Sequence, residues 1–359
     1  MQKKIDRHYG LDVVRAIAIT AVVLYHWPRE QSQVLFRVIS HFGYLGVDLF
    51  FVLSGYLIVG QSLSLIEKNT FTPKRFYISR LMRTLPNYYF VLFASVLVHG
   101  VSQYDWRYLF FLQNFGGLYS FSHSWSLCVE EHFYLFLPFI LVFLNRSNMK
   151  RIPLVVAVIV VVEILIRLLV WIKIRPDIAY STNADAGYEL FFKHLFYPSY
   201  TRMDGLALGS LVAYIKQSHK ELWIKLTSRS HFFFFGSLLF FLPVAYLIYH
   251  KTEFFNAVLG NTLVAIFSVG ILISCISEKS LLQRIRLPGI TLISMLSYSI
   301  YLTHGHALHL SEIVGQSLGA GAVLMNLIRI VVLMGLACIL YFGLEKPILR
   351  YRDRILLTT

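Results

Sequence analysis

Leu11–Trp27 reads LDVVRAIAITAVVLYHW. A bilayer crossing takes about 20 apolar residues over ~30 Å of hydrocarbon, and this run is close to that length. It nevertheless carries Asp12, Arg15 and His26. An ionisable side chain inside a span costs roughly 2.5–3.5 kcal/mol on insertion scales and by default marks function. Arg15 and His26 are eleven positions apart, about 1100° of helical rotation and so ~20° from a whole number of turns. They share one face of a helix, about 16 Å apart along its axis. No A-x-A-like site follows, so the run reads as a first transmembrane helix and not as a cleavable signal.

The rest of the chain has the same character. Of 359 residues 57% are apolar and 14% charged, against about 25% charged in an average soluble domain. Mean hydropathy is +0.62. Soluble globular, disordered and disulfide-scaffold classes are excluded on these numbers. Further apolar runs fall at about 43–63, 85–101, 127–144, 152–172, 203–215, 231–249, 256–276, 288–308 and 322–344. The expected architecture is an all-α polytopic membrane protein of about ten spans, one integral-membrane domain over 1–359, with the run at 203–215 the shortest. Cys128, Cys275 and Cys338 sit singly in apolar runs and read as packing residues, with no metal site.

The net charge of +14 would suggest nucleic acid on a soluble chain. Placed on ten spans, 22 of the 33 Lys and Arg lie in the N-terminal tail, 64–84, 145–151, 216–230, 277–287 and 345–359, all on one side. Eight lie in the opposite loops, and Arg15, Arg167 and Arg329 fall inside spans. Both termini are therefore expected in the cytoplasm, and topology accounts for the charge without a nucleic-acid partner.

Other polar residues sit where apolar ones are expected. The second run, YLGVDLFFVLSGYLI, holds Asp48 and a Ser54-Gly55 pair that reads as helix packing. Arg80 and Arg83, in RFYISRLMRTLP, are one turn apart and able to converge on an anion. HSWSLCVEEHFYLFLP carries Glu130 and Glu131, which point about 100° apart on a helix. Glu163 and Arg167 have the four-residue spacing of a structural ion pair. Arg202 and Asp204 follow a loop at 173–202 that reads as a partly structured cap, and SYSIYLTHGH brings His304 and His306. By depth, His26, Asp48, Glu130, Arg202, Asp204 and His304 fall in the outer half, and Arg15, Arg80 and Arg83 in the inner half. Chemistry with substrates arriving from opposite sides fits this pattern, and so does a transport path. No paired broken helices or inverted repeat favours the transporter.

These motifs resemble the acyltransferase family 3 membrane O-acyltransferases. The likeness runs nearly end to end through LDVVRAIAITAVVLYHW, GVDLFFVLSGYLI, the Arg80/Arg83 pair, WSLCVEEHFYL, TRMDGLALGSLVA, SYSIYLTH and GLEKPILR, in that order. The resemblance implies transfer of an acyl group, commonly acetyl from acetyl-CoA, to a carbohydrate or other hydroxyl. It implies His26 as the catalytic histidine, Arg15 as its companion, and Arg80 and Arg83 as donor-handling residues. Some members carry a fused SGNH-type domain; the chain stops 14 residues beyond Glu345, and the expectation is a form without it.

The expected chemistry places CoA phosphates on Arg80, Arg83 and Arg15, whose planar fork suits bidentate phosphate contacts. His26 is the expected general base on the acceptor hydroxyl, a direct transfer being favoured over an acyl-histidine. Glu130 or Asp48 is expected to orient the imidazole, and Arg202, Asp204 and His304 to contact the acceptor. The expected acceptor is an extracytoplasmic bacterial surface glycan such as lipopolysaccharide O-antigen, with an inner-membrane location and no metal.

Overall fold

The computed structural model describes residues 8–28, 41–116, 121–144, 148–180, 184–249, 253–284 and 286–358. Lys3, Lys4 and Arg7 of the basic tail, and Asn183 of the 173–202 loop, lie outside them. The described residues form helices and connecting turns, with no strand among them. The principal helices are α1 (Tyr9–His26), α2 (Leu45–Glu67), α3 (Pro73–His99), α4 (Trp125–Leu144) and α5 (Ile152–Ala179). They continue with α6 (Asp204–Ser218), α7 (Ser230–Tyr249), α8 (Asn261–Ile276), α9 (Ile290–Ser317), α10 (Ala322–Leu340) and α11 (Lys346–Thr358).

Among the described residues seven helical segments are long and apolar enough to cross a membrane, eight if the bent pair Lys220–Ser228 and Ser230–Tyr246 is one span. The chain is a multi-pass membrane protein. The expected run at 203–215 corresponds to α6, which has 15 residues, about 22 Å of rise. The run at 288–308 lies in α9, with 28 residues and about 42 Å of rise. His304, His306 and His309 make α9 less apolar than its neighbours.

Lipid-facing and central helices separate by sequence. α5 belongs to the most hydropathic segment, at 2.9, yet little of it is buried; Leu154, Val158, Val161, Leu165 and Leu169 all point outward. With no water to exclude, an apolar surface this large is a surface for hydrocarbon. α1, α2 and α8 lie at the centre, lined by small and branched residues such as Ala16, Ala18, Val52, Ala265 and Ser268.

A close backbone contact, made from both sides, joins α2 and α6. A Cβ on Gly55 would stand 2.0 Å from the Leu206 carbonyl oxygen, and one on Gly209 would stand 2.0 Å from that of Val52. Glycine at each position lets two backbones meet, the mode by which helices associate where no hydrophobic effect drives them. The packing role expected for Gly55 is met in this way.

Buried charge supplies the second tie. Arg202 and Arg167 are the bulkiest fully buried side chains, at 1% and 0% exposure. Arg202 donates to Asp48 at 2.9 Å and sits against the rings of Phe51, Trp125 and Phe196. Arg167 donates to Asp204 Oδ2 at 3.0 Å, to the Thr201 carbonyl and to Thr262, which itself donates to Asp204. One expectation is corrected here, and three residues gain a structural role. The partner of Arg167 is Asp204 and not Glu163, whose carboxylate accepts the Met203 N–H at 2.6 Å and so caps the start of α6. Asp48, Arg202 and Asp204, expected to contact an acceptor, are bonded to one another's helices because a guanidinium this deep needs a carboxylate of its own.

Removing one member of a buried pair leaves an uncompensated charge, which costs about 3–5 kcal/mol. Arg167→Ala is expected to lower the thermal unfolding temperature in detergent sharply, and adding Asp204→Asn to recover much of the loss. An unchanged melting curve for Arg167→Ala would show the network to be dispensable.

Candidate active site

α1 and α9 run side by side in the same direction, tied near their starts by Ser294 Oγ donating to Asp12 at 2.8 Å. Asp12 also lies 3.6 Å from Arg15. The shared direction carries His26, at the end of α1, to His304: the ring centroids are 4.8 Å apart. His123, just ahead of α4, completes a cluster at 4.3 Å from His304 and 6.5 Å from His26. Room for the His123 ring comes from Gly305, where a Cβ would approach Cε1 to 3.1 Å.

Each ring is oriented by a backbone carbonyl. His26 Nδ1 lies 3.0 Å from the Val22 oxygen, and His304 Nδ1 lies 2.7 Å from the Tyr301 oxygen. A carbonyl only accepts, so the proton of each neutral ring sits on Nδ1 and the Nε2 lone pair is left bare. His304 is fully buried and its Nε2 has no partner. His123 is held the other way round, Nε2 donating to the Leu302 carbonyl at 3.3 Å. A chain glycosyl or other hydroxyl entering this cluster meets imidazole nitrogens able to accept its proton.

Toward the opposite end lies a cavity of about 350 Å³ among α1, α2, α3, α4 and α9. Arg15, Arg80 and Arg83, expected together from the sequence, all line it. Arg80 donates to Gln61 at 3.0 Å and to Ser79, and neither Arg80 nor Arg83 has a carboxylate at ion-pair distance. Three guanidinium groups against the single lining carboxylate of Glu130 leave the cavity wall with an excess of positive charge, the condition for binding an anion.

Glu130 lines the same cavity, which corrects its expected place beside His26. Its carboxylate accepts from Ser54 at 2.8 Å and from Tyr134 at 2.9 Å. Ser54, read as a packing residue, thus also positions an acidic group. The cavity stops at Ser126 and Tyr301, which hydrogen-bond to each other; Tyr301 also donates to the His123 carbonyl at 2.6 Å. The Tyr301 ring is 5.7 Å from that of His304. An arginine-lined chamber and a histidine cluster are therefore separated by one tyrosine.

Of the expected site residues, the structure brings His26 to His304 and Arg15 to Arg80, Arg83 and Glu130, and it places Asp48, Arg202 and Asp204 in the buried networks. His123 and Tyr301 were missed. A histidine two residues ahead of an apolar run looks like an interfacial residue, and only the HSW spacing before the fourth run hinted otherwise. Among the described residues no group of His, Cys, Asp or Glu is arranged to hold a metal.

The tautomer assignment is open to measurement. With ¹⁵N-histidine labelling, His26 and His304 are expected to give the Nδ1–H neutral pattern at pH 8, and a backbone ester between residues 22 and 23, which weakens the Val22 carbonyl as an acceptor, should shift His26 alone. An Nε2–H pattern for both rings would overturn the assignment.

The sequence is similar to those of known proteins. The sequence model of a family described as "Acyltransferase domain" matches residues 8–345. The chain is 26% identical over 369 aligned residues to "Putative peptidoglycan O-acetyltransferase YrhL" of Bacillus subtilis (strain 168), covering 94% of this chain and 54% of that protein. It is 29% identical over 332 residues to a "Putative O-acetyltransferase" of Staphylococcus aureus (strain MSSA476), covering 84% and 51%. A shorter stretch of 161 residues is 33% identical to "Peptidoglycan O-acetyltransferase OatA" of Listeria monocytogenes, covering 38% and 24%. The chain spans about half the length of the first two. No solved structure matches it significantly.

Proposed function

The chain belongs to this acyltransferase family, and from that premise we propose that it transfers an acyl group, acetyl by preference, from a cytoplasmic acyl-CoA to a hydroxyl of an extracytoplasmic glycan. The observation that carries the reading is the pairing of compartments: a cavity holding Arg15, Arg80 and Arg83 ends at Tyr301, and His26 and His304 stand just beyond. The donor's phosphates take the arginine end, nearest the basic 64–84 segment, and its arm extends toward Tyr301.

Arg80 and Arg83 hold phosphate oxygens through guanidinium forks. The acceptor hydroxyl lies against His26 Nε2, which takes the proton as the oxygen attacks the thioester carbonyl. The C–O bond forms, the C–S bond breaks, and the imidazolium returns its proton to the leaving thiolate. His26 ends neutral, and no net proton is consumed. The Val22 carbonyl keeps the base nitrogen of His26 unprotonated at the start and turned away from its own helix. Glu130, held by Ser54 and Tyr134, keeps the inner chamber polar beside the donor arm. The acetyl preference and the CoA donor follow family resemblance. The names of the relatives favour a peptidoglycan-type acceptor over the O-antigen expected from the sequence.

His26→Ala is expected to lower acyl transfer about 10²–10⁴-fold, the range for loss of a general base. Radiolabelled acetyl-CoA with inside-out membranes and an isolated glycan acceptor measures it, and a near wild-type rate would refute the assignment. Arg80→Glu with Arg83→Glu is expected to raise the KM for acetyl-CoA at least tenfold, with a smaller change in kcat. Mass spectrometry of peptidoglycan and of lipopolysaccharide from a deletion strain identifies the acceptor: the fraction that loses one acetyl increment is the substrate.

A further inference from the structure

A second, smaller pocket of about 80 Å³ lies beyond the arginine end of the main cavity. The two share Ile58, Gln61 and Arg80, so the Arg80–Gln61 hydrogen bond at 3.0 Å forms a collar between them. The small pocket is bounded further by Arg75, Ser62, Ser79 and, from α11, Leu356. The start of α3 is well fixed: Thr72 caps it by accepting the Arg75 N–H at 3.2 Å, with Pro73 in the first turn. Arg75 is half-buried, and among the described residues its guanidinium makes no hydrogen bond or ion pair. A partly desolvated guanidinium without a counter-ion, in a recess with two hydroxyls, is suited to an anion of phosphate size.

Resting on the acyl-CoA reading above, we propose that this pocket holds the 3′-phosphate at the nucleotide end of coenzyme A, with Arg75 as its cationic contact. Coenzyme A carries phosphate at two places, the diphosphate that begins its arm and the 3′-phosphate across the ribose. Five residues of helix separate Arg75 from Arg80, about 7.5 Å of rise, the scale of one ribose. Arg80 and Arg83 face the larger cavity and take the diphosphate; Arg75 faces the smaller and takes the 3′-phosphate. The room beside Arg75 admits a phosphoryl group and excludes a nucleoside, so the adenosine lies outside it. α11, which packs on α3, walls the pocket through Leu356, giving this amphipathic C-terminal helix a part in donor selection.

Binding of coenzyme A and of 3′-dephospho-coenzyme A to the purified full chain tests this without knowledge of the acceptor. In nanodiscs of zwitterionic lipid, wild type is expected to bind coenzyme A roughly tenfold more tightly, the worth of one charge-assisted contact. Arg75→Gln should bring the two affinities together by weakening coenzyme A alone. Leu356→Trp, which fills the recess from the other wall, should do the same. Equal affinities in wild type, or equal weakening of both ligands by Arg75→Gln, would remove the pocket while leaving the donor reading intact. Binding of neither ligand by wild type would bring down the donor reading and this proposal together. A preference erased when phosphatidylglycerol is added to the nanodiscs would give the pocket to a lipid headgroup instead.

Discussion

A guanidinium inside a membrane protein must meet either a carboxylate or a polar chamber, and this fold uses both arrangements. Arg167 and Arg202 are fully buried and each holds an aspartate. Their pairs join α5 to α6 and the turn just ahead of α6 to α2, and Thr262 of α8 completes the first. That network seats α6, whose 15 residues are short for a crossing, among longer helices. Arg80 and Arg83 have no such carboxylate and line an open cavity instead. The same residue type builds the scaffold in one place and leaves a charge to be matched in the other.

The scaffold fixes where chemistry is possible. Because α1 and α9 run in the same direction, a histidine at the end of one meets a histidine inside the other. Because α4 runs from the histidine end toward the basic end, it brings Ser126 to the Tyr301 partition and Glu130 to the inner chamber. On the function proposed above, a donor too large and too charged to cross the bilayer needs only its arm to pass between the two compartments. Separating phosphate binding from proton transfer also keeps the arginines away from the histidines, whose protonation they would oppose.

Much of this was legible in the sequence. Low charge and long apolar runs establish a polytopic helical membrane protein, and the eleven-residue spacing of Arg15 and His26 puts both on one face of the first helix. The cavity arginines were found because two guanidiniums one turn apart need a reason. The partner of Arg167 was misread because local spacing favoured Glu163, whereas the fold brings Asp204 from 37 positions away. Glu130 was displaced for a related cause. Depth along a helix can be counted from sequence, but which neighbour a carboxylate faces depends on how α4 is rotated against α2. His123 gave no periodic signal at all, since it lies in a short turn ahead of α4.

The glycine contact between α2 and α6 has a mechanical consequence. One wall of the arginine-lined cavity, the face of α2 that carries Val47, Ser54 and Ile58, is clamped from behind, backbone on backbone, by Gly55 and Gly209. Such a joint has no side-chain slack to take up sliding or rotation. Any widening of the cavity must therefore come from the opposite wall, where α3, α4 and α9 meet through hydroxyl contacts such as Tyr298 to Thr84 and Tyr301 to Ser126. The enclosure is built as a fixed jaw and a yielding one.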